Sequence, residues 1–535
     1  MAASNFHRRW LSQLRSPSVL AIVILLALTI TLRLTHLERR VYWFDEVIHT
    51  IQSFGYYKGD LRQAVSTADT PQPLSTLEPF LAPNPDRPGL ATVQVLSETE
   101  PQSTPVHYLL NRWWSDIFGP SVFSQRLLAA IFGLGLLPVT YWLAVEFQRL
   151  YPGTSSLFPW LATLFVALSP IQVLYSREIR LYSLWVLLST ASTAALLRAV
   201  RSQSRPGLSR LSWSLHGVLA VAAVYTFPLE WVSVFGRTLW LLVTKRSHWR
   251  GLLISQGAAL LAFIPWGIAI QQNIHKMGNW REASTSLKDL VSGWFVGHSL
   301  FVIDWCPIAE RRSGTFSLIS GILLAIATGG LLLWLYRRRR AIFWLTLFVA
   351  IFPWLIWACQ DVIKGGIRSS WGCLRYYLPG NVLFSVVFSV VFAEFLKIKG
   401  WRRGIVGLSL AVWVGAGLVS DVQIARSQTS RFAFSSNEWV KWGRAMGKTP
   451  NSIIAIPKDH NGAGVQTITA SRYMSKTIEF VTVDDPTEKA DLLRPYDTVY
   501  VISPKDEWKQ RVNENSDWKL TQLSTELFSL SEARE

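Results

Sequence analysis

Two adjacent carboxylates, Asp45 and Glu46, are the strongest candidates for chemistry in this sequence, and they directly follow the aromatic residues Tyr42-Trp43-Phe44. Tyr and Trp side chains favour the headgroup level of a bilayer, where one part of the ring system is apolar and the other meets water. The pattern therefore predicts that both carboxylates lie at the mouth of a membrane. There they act in proton transfer or, as the alternative, belong to a solvated acidic turn.

Three further polar clusters place ionisable groups in a strongly apolar context, where such groups are costly and usually functional. They are Pro105-Val106-His107-Tyr108, Tyr175-Ser176-Arg177-Glu178-Ile179-Arg180-Leu181-Tyr182, and the segment from Arg368 to Pro379 with Arg375-Tyr376-Tyr377. A single anion would accept charge-assisted hydrogen bonds from several of these arginines at once. The structural alternatives are an ion pair of Arg177 and Arg180 with Glu178, an interfacial hydrogen bond for His107, and membrane-belt positions for Tyr182 and Tyr376.

The composition is that of a polytopic membrane protein. Half of the 535 residues are hydrophobic and only 16% are charged, which is too apolar for a soluble chain of this length. The 26 Trp, 15 Tyr and 27 Phe residues suit a chain that needs aromatic anchors at many membrane–water interfaces. The formal net charge of +18 is then attributed to basic residues that set the orientation of the chain in the membrane. No nucleic-acid-binding module is recognisable, and no nucleic-acid partner is expected.

The three cysteines, Cys306, Cys359 and Cys373, form neither a disulfide framework nor a zinc-binding pattern. One disulfide among them is an alternative if their segments face an oxidising compartment. The N-terminal basic residues and the apolar run from Val19 to Leu32 have the shape of a secretory signal, but no small-residue cleavage site follows. This run is therefore predicted to be an uncleaved first membrane span.

Apolar runs of about 20 residues, the length that a bilayer-crossing helix needs, predict about eleven transmembrane helices. The predicted spans are 18–37, 121–147, 157–175, 181–199, 213–229, 231–244, 251–271, 314–336, 341–359, 379–396 and 404–420. The fold class is thus an α-helical polytopic membrane protein, with residues 1–430 as the transmembrane domain. Its first extracytoplasmic loop covers about 38–120.

The positions of Lys and Arg predict the orientation, because cytoplasmic loops are enriched in these residues. With the N-terminus in the cytoplasm of an inner (plasma) membrane protein, every strong basic cluster between the predicted spans is cytoplasmic. The extracytoplasmic segments are then 38–120, 176–180, 272–313, 360–378 and everything after about 421. Asp45, Glu46 and the C-terminal region accordingly share the extracytoplasmic side.

Residues 431–535 have the composition of a small soluble domain. Strand-like runs at 453–457, 477–483 and 498–503 alternate with helix-compatible stretches at 465–475, 487–494 and 505–514. This alternation predicts a small parallel α/β layer. No glycine-rich phosphate loop follows the first strand, so the domain is interpreted as an accessory or lid domain rather than a nucleotide site.

The ordered set of motifs resembles the polyprenyl-phosphate-sugar-dependent glycosyltransferases of the GT-C superfamily. In particular it resembles the family 39-like bacterial enzymes, which are related to protein O-mannosyltransferases and to the lipid A aminoarabinose transferase. The resemblance covers roughly residues 18–400 and rests on aromatic-Asp-Glu after the first span, Ser-Arg-Glu-x-Arg-x-Tyr between the third and fourth, and Arg-Tyr-x-x-Pro late in the chain. Where family members often have Pro-Pro-Leu-Tyr-Tyr before the second span, this chain has Thr104-Pro105-Val106-His107-Tyr108.

The resemblance implies inverting transfer of a sugar from a lipid-linked donor, with Asp45 as the general base for an acceptor hydroxyl and Glu46 orienting Asp45 or binding sugar hydroxyls. The other implied site residues are Arg180, Arg375, Arg177 and Arg368 for the donor phosphate, and His107, Tyr108, Tyr182 and Tyr376 for substrate. No nucleotide site is then required, and arginines take the place of a metal ion. A divalent metal at Asp45 and Glu46 is the alternative.

The implied partners are a polyprenyl-phosphate sugar, the lipid bilayer, and an acceptor that is a protein, a lipid or a polysaccharide. A transporter or flippase for a lipid-linked saccharide is the competing hypothesis. Such a protein is expected to show matching halves with interrupted spans and charges near the midplane, whereas here the ionisable residues gather on one face. A scaffold that only displays the C-terminal domain would leave the arginine clusters unexplained.

Overall fold

A computed structural model describes residues 16–276, 285–306, 313–366, 369, 371–429, 434–449, 451–458, 462–474, 478–484, 489–502, 504–514, 518–524 and 527–532. The chain divides into two compact units. The helical unit comprises residues 1–37, 100–107 and 126–427, and the mixed unit comprises residues 38–99, 108–125 and 428–535. The first loop and the C-terminal region thus fold together.

The helices of the N-terminal third are α1 (Pro17–Leu34), α2 (Phe44–Ser53), α3 (Lys58–Ser66), α4 (Ala91–Thr99), α5 (Pro105–Phe118) and α6 (Val122–Leu150). Those that follow, up to residue 426, are α7 (Phe158–Ala167), α8 (Pro170–Tyr175), α9 (Tyr182–Arg201), α10 (Pro206–Val224), α11 (Glu230–Thr244), α12 (Trp249–Gln272), α13 (Leu287–Ser299), α14 (Ser313–Arg338), α15 (Arg340–Thr346), α16 (Phe352–Lys364), α17 (Leu378–Phe395) and α18 (Trp401–Arg426). A π-helical turn, Leu347–Ile351, joins α15 to α16. Short 3-10 turns cover Leu74–Leu81, Arg246–His248, Ile274–Lys276 and Trp371–Tyr377.

Eight helices within the described residues are long and apolar enough to cross a membrane, by length and composition. They are Pro17–Leu34, Val122–Leu150, Tyr182–Arg201, Arg246–Gln272, Ser313–Arg338, Arg340–Lys364, Leu374–Phe395 and Trp401–Arg426. The three remaining predicted spans are helical but do not meet this standard, so the predicted count of eleven is not confirmed. The physical reasons differ: α7 has only 10 residues, α10 carries several polar residues, and α11 has 15 residues that include Glu230 and Arg237.

The centre of the helical unit is formed by α7, α9 and α17, whose side chains are mostly buried. Phe165 of α7 stacks on Trp413 of α18 with ring centroids 4.7 Å apart and meets Phe392 of α17 edge-on at 5.4 Å. The sequences of such helices lack a distinct polar face because the helices contact protein on all sides. The peripheral helices α1, α12, α14 and α18 are largely exposed, as expected for helices that face lipid.

One close helix contact depends on the absence of a side chain. A Cβ atom built on Gly236 of α11 would lie 2.2 Å from the backbone oxygen of Phe348. Phe348 belongs to the π-helical turn Leu347–Ile351, where the extra residue per turn shifts the backbone. Only glycine permits this approach of α11 to the π-helical turn.

The mixed unit contains a six-stranded sheet formed by β1 (Gln72–Pro73), β2 (Ser452–Pro457), β3 (Glu479–Val483), β4 (Thr498–Ile502), β5 (Trp518–Gln522) and β6 (Leu527–Glu532), in the order β1-β3-β2-β4-β6-β5. The C-terminal helices are α19 (Phe434–Met446), α20 (Ala463–Ser471), α21 (Ala490–Leu493) and α22 (Asp506–Glu514). Strands β3, β2 and β4 are parallel, as predicted, whereas β6 and β5 are antiparallel. The predicted parallel layer is therefore confirmed only in part.

Strand β1 comes from the first loop and pairs with β3, Gln72 opposite Phe480. Both segments must therefore lie on one side of the membrane, and an even number of helices must cross between them. Seven of the eight candidate spans fall in this interval, so if all seven cross, an odd number of the three remaining predicted spans must cross as well. With a total of nine or eleven spans, the number of helices that cross between β1 and β3 is even. With a total of eight or ten spans, that number is odd.

Candidate functional site

Asp45 and Glu46 lie in the first turn of α2, where carboxylates interact favourably with the helix dipole. Their surroundings differ. Glu46 is fully buried, and its carboxylate accepts a hydrogen bond from the backbone N–H of Trp43 at 3.4 Å, as an N-terminal capping residue does. Asp45 is half-buried. Of the two, Asp45 is thus the carboxylate that a substrate can reach, while Glu46 holds the start of the helix.

The C-terminal region of the mixed unit holds the segment that leads into α2. The backbone N–H of Val41 donates to the carbonyl of Gln428 at 2.8 Å, and that of Phe44 donates to the Ser436 hydroxyl at 3.2 Å. Val41 and Trp43 also pack in one buried cluster with Val440 of α19. The C-terminal region therefore holds the backbone of the segment that directly precedes Asp45.

His49 is a further residue of this group, one that sequence reasoning missed. It lies one turn after Asp45 on α2, is buried, and stacks on the ring of Tyr108 with centroids 3.9 Å apart. Nearby, the amide oxygen of Gln125 accepts hydrogen bonds from Thr50 at 3.0 Å and from Asn111 at 2.9 Å. The i, i+4 spacing of Asp45 and His49 was the available signal, because such residues share a helix face.

The guanidinium of Arg177 is hydrogen-bonded to the C-terminal end of the first helix. Its two terminal nitrogens donate to the backbone carbonyls of Leu32 at 2.8 Å, Arg33 at 2.8 Å, Thr35 at 2.7 Å and His36 at 3.1 Å. The residue is 1% exposed. The last carbonyls of a helix have no partner within the helix and need outside donors, so Arg177 caps α1. The buried Asp421 of α18 interacts electrostatically with Arg177 and Arg33.

Arg180 lies next to Tyr182 at the start of α9. Its guanidinium donates to the Tyr182 hydroxyl at 3.1 Å, and its central carbon lies 5.4 Å from the centroid of the Tyr182 ring. His107, buried in the first turn of α5, is close enough for the two to interact. Burial and, to a smaller extent, the positive charge of Arg180 lower the pKa of His107 to about 3. His107 is therefore neutral at physiological pH.

Arg375 repeats this arrangement on another element. It lies in the 3-10 turn before α17, and its guanidinium stands 5.5 Å from the centroid of the Tyr376 ring. A single ring, that of Phe227, contacts both tyrosines, at 5.8 Å from Tyr182 and 6.1 Å from Tyr376. The helical unit thus brings the two arginine–tyrosine pairs around one aromatic side chain.

The candidate site residues fall into two groups. Asp45, Glu46 and Tyr108 belong to the mixed unit, and His107, Arg177, Arg180, Tyr182, Arg375 and Tyr376 belong to the helical unit. Arg368 lies outside the described residues. Among the residues that the structure describes, no three His, Cys, Asp or Glu side chains are grouped closely enough to hold a metal ion. The cations of the helical unit suit an anionic ligand, and the acidic group suits proton transfer.

The fold is similar to that of several solved structures. The crystal structure of ArnT from Cupriavidus metallidurans bound to undecaprenyl phosphate is similar over 95% of this chain and 97% of that chain, with a TM-score of 0.51 and 12% identity. The apo ArnT structure covers 80% of this chain and 87% of its own, with a TM-score of 0.48 and 12% identity. The apo oligosaccharyltransferase of Archaeoglobus fulgidus covers 97% and 74%, with a TM-score of 0.46 and 11% identity.

No protein-family model matches the sequence, and no curated protein shows significant sequence similarity to it. The likeness therefore concerns the fold. A mostly helical fold with candidate membrane spans is confirmed, and activity has to be argued from the residues of the site.

Proposed function

We propose that this protein is a membrane glycosyltransferase, which transfers a sugar from a polyprenyl-phosphate-linked donor to an extracytoplasmic acceptor hydroxyl with inversion at the sugar carbon. The observation that carries the proposal is that Arg180 and Arg375 each lie over a tyrosine, and that the rings of both tyrosines contact Phe227. Support comes from the similar fold of ArnT, whose structure was determined with undecaprenyl phosphate bound.

The two arginines supply what a phosphate leaving group needs. When the bond between the sugar and the phosphate oxygen breaks, the phosphate gains a full negative charge, which prearranged cations stabilise most where water is excluded. Arg375 is only 8% exposed, and a guanidinium donates two parallel hydrogen bonds to a phosphate. Arg177 takes no part in this step, because its terminal nitrogens cap α1.

Asp45 is the proposed general base, which accepts the proton of the acceptor hydroxyl as that oxygen attacks the sugar. It combines partial exposure with a backbone that the C-terminal region fixes at the residue just before it, Phe44. Glu46 keeps the first turn of α2 in place through its bond to Trp43. The reaction balances without a further reactant, since the acceptor loses one proton and the polyprenyl phosphate leaves with the bonding electron pair.

The test uses the purified protein in detergent with radiolabelled polyprenyl-phosphate sugars and a membrane extract as the source of acceptor. We expect label to move from the donor into an acceptor fraction. Arg180→Ala and Arg375→Ala should each reduce donor binding and turnover at least tenfold, whereas Arg403→Ala, which removes an exposed arginine of α18, should not. Donor that is bound but never cleaved would instead indicate a transporter.

A further inference from the structure

An ion pair between two residues of α11 is buried against α9, well inside the helical unit. Glu230 and Arg237 are paired and are both fully buried. The Glu230 carboxylate also accepts hydrogen bonds from the Ser189 hydroxyl at 3.0 Å and from the Trp185 indole N–H at 2.7 Å. Apolar residues at these two positions of α11 would pack against α9 at least as well as a buried ion pair does, so the pair calls for a role other than helix packing.

The Trp185 indole, which donates a hydrogen bond to Glu230, also belongs to a set of ring contacts. The Trp185 ring meets the Phe227 ring nearly perpendicularly, with centroids 4.9 Å apart and an interplanar angle of 76°. Phe227 lies in the turn between α10 and α11 and is 8% exposed. On its other sides it meets Tyr182 at 86° and Tyr376 at 33°. One ring thus fixes the distance between two tyrosines that come from different elements.

We infer that Phe227 is a positioning residue for donor binding: held by Trp185 and Glu230, it sets the spacing of Tyr182 and Tyr376 and, through them, of Arg180 and Arg375. This inference rests on the proposed function of the two arginines. It explains why a carboxylate is kept fully buried inside the helical unit, where its desolvation cost is high. The hydrogen bond to Trp185 gives the ring one fixed orientation, which an apolar neighbour does not.

The spacing matters because a phosphate accepts bonds from both arginines only if both reach it together. A misplacement of about 1 Å in a reacting group can cost on the order of 100-fold in rate. Leucine at position 227 would fill much of the volume but would not reach both tyrosine rings. The arginines would remain, with their mutual distance no longer fixed.

The experiment measures the binding of undecaprenyl phosphate, the donor's lipid phosphate without its sugar, to the full-length protein. Phe227→Leu should weaken binding five- to twenty-fold, raise the donor KM and lower kcat, because the two arginines whose spacing it disturbs also stabilise the leaving phosphate. Phe227→Tyr, which keeps the ring, should restore most of the affinity. Trp185→Phe, which keeps a ring but loses the N–H to Glu230, should weaken binding two- to five-fold.

The matched control is Phe165→Leu, which removes a buried ring packed on Phe392 and Trp413, away from the arginines. It should lower the melting temperature about as much as Phe227→Leu and leave lipid-phosphate affinity unchanged. In a double-mutant cycle, Phe227→Leu should have little further effect once Arg375 is Ala.

Two results would overturn the inference, and they are distinguishable. If Arg375→Ala weakens lipid-phosphate binding and Phe227→Leu does not, Phe227 only fills space and the proposed function stands. If Arg180→Ala, Arg375→Ala and Phe227→Leu all bind like the wild type, the arginines do not hold the phosphate, and the proposed function falls together with the inference.

Discussion

At the scale of single residues, Asp45 and Glu46 are adjacent in sequence and different in role. Asp45→Asn keeps the size of the side chain and removes its ability to accept a proton, so turnover should fall by about 10² to 10⁴. Lipid-phosphate binding and the melting temperature should hardly change, because the arginines hold the phosphate and Asp45 is half-buried. The measurement is a steady-state transfer assay with Asp86→Asn as control, an exposed carboxylate of the same unit. Wild-type turnover in a well-folded Asp45→Asn protein would remove the proposed base.

Arg177 and Arg180 should respond differently to the same change. Arg177→Ala removes the donors to four carbonyls near the end of α1, and each buried polar group left without a partner costs about 1–3 kcal/mol. We expect a large loss of thermal stability in detergent, whereas Arg180→Ala should lose donor binding with a much smaller change in stability. A stable Arg177→Ala protein that fails to bind lipid phosphate would return Arg177 to the phosphate site.

At the scale of elements, the contact of α11 with the π-helical turn gives a test of packing. Gly236→Ala would force a Cβ atom into the backbone oxygen of Phe348, and overpacking of this kind costs about 1–3 kcal/mol. The control is Gly257→Ala on α12, where nothing lies within 4 Å of the added atom and helix propensity improves by about 1 kcal/mol. Thermal unfolding should therefore show opposite shifts, and an unshifted Gly236→Ala protein would mean that α11 can move away.

The sequence was sufficient wherever one element carries its own signal. Runs of apolar residues locate the long helices, and strands β2, β3 and β4 were predicted because their residues are continuously apolar. Strands β1, β5 and β6 were missed for physical reasons. Strand β1 has two residues, β5 alternates buried Trp518 with exposed Lys519 in a segment too short to be distinctive, and serines interrupt the apolar residues of β6. All three are strands only because a partner is present.

The sequence pointed to individual residues of the candidate site, but it did not indicate the contacts between them. The types and spacing of Asp45, Arg180 and Arg375 point to chemistry from the sequence alone. The capping role of Arg177 depends on carbonyls more than 140 residues away, and the place of Phe227 depends on two distant tyrosines. No local pattern contains such information.

At the scale of the whole molecule, the pairing of β1 with β3 requires both strands to lie on the same side of the membrane. Cysteine labelling can check this requirement. In a protein with Cys306, Cys359 and Cys373 replaced by Ser, single cysteines at the exposed positions Thr67 and Lys448 should both react with a membrane-impermeant thiol reagent in intact cells. Cysteines at Gln203 and Arg338, predicted to be cytoplasmic, should be protected. Different labelling of Thr67Cys and Lys448Cys would contradict the β1–β3 pairing, and the reverse pattern would invert the orientation.

The pairing of β1 with β3 also sets an order of events during synthesis. The ribosome makes β3 about 400 residues after β1, which at about 5–20 residues per second is a delay of roughly 20 to 80 s. Throughout that interval the loop carrying Asp45 has emerged without Ser436, Val440 or the sheet that later fixes it. A premature stop codon after α18 would thus leave every apolar helix in place and still deprive the acidic pair of its support.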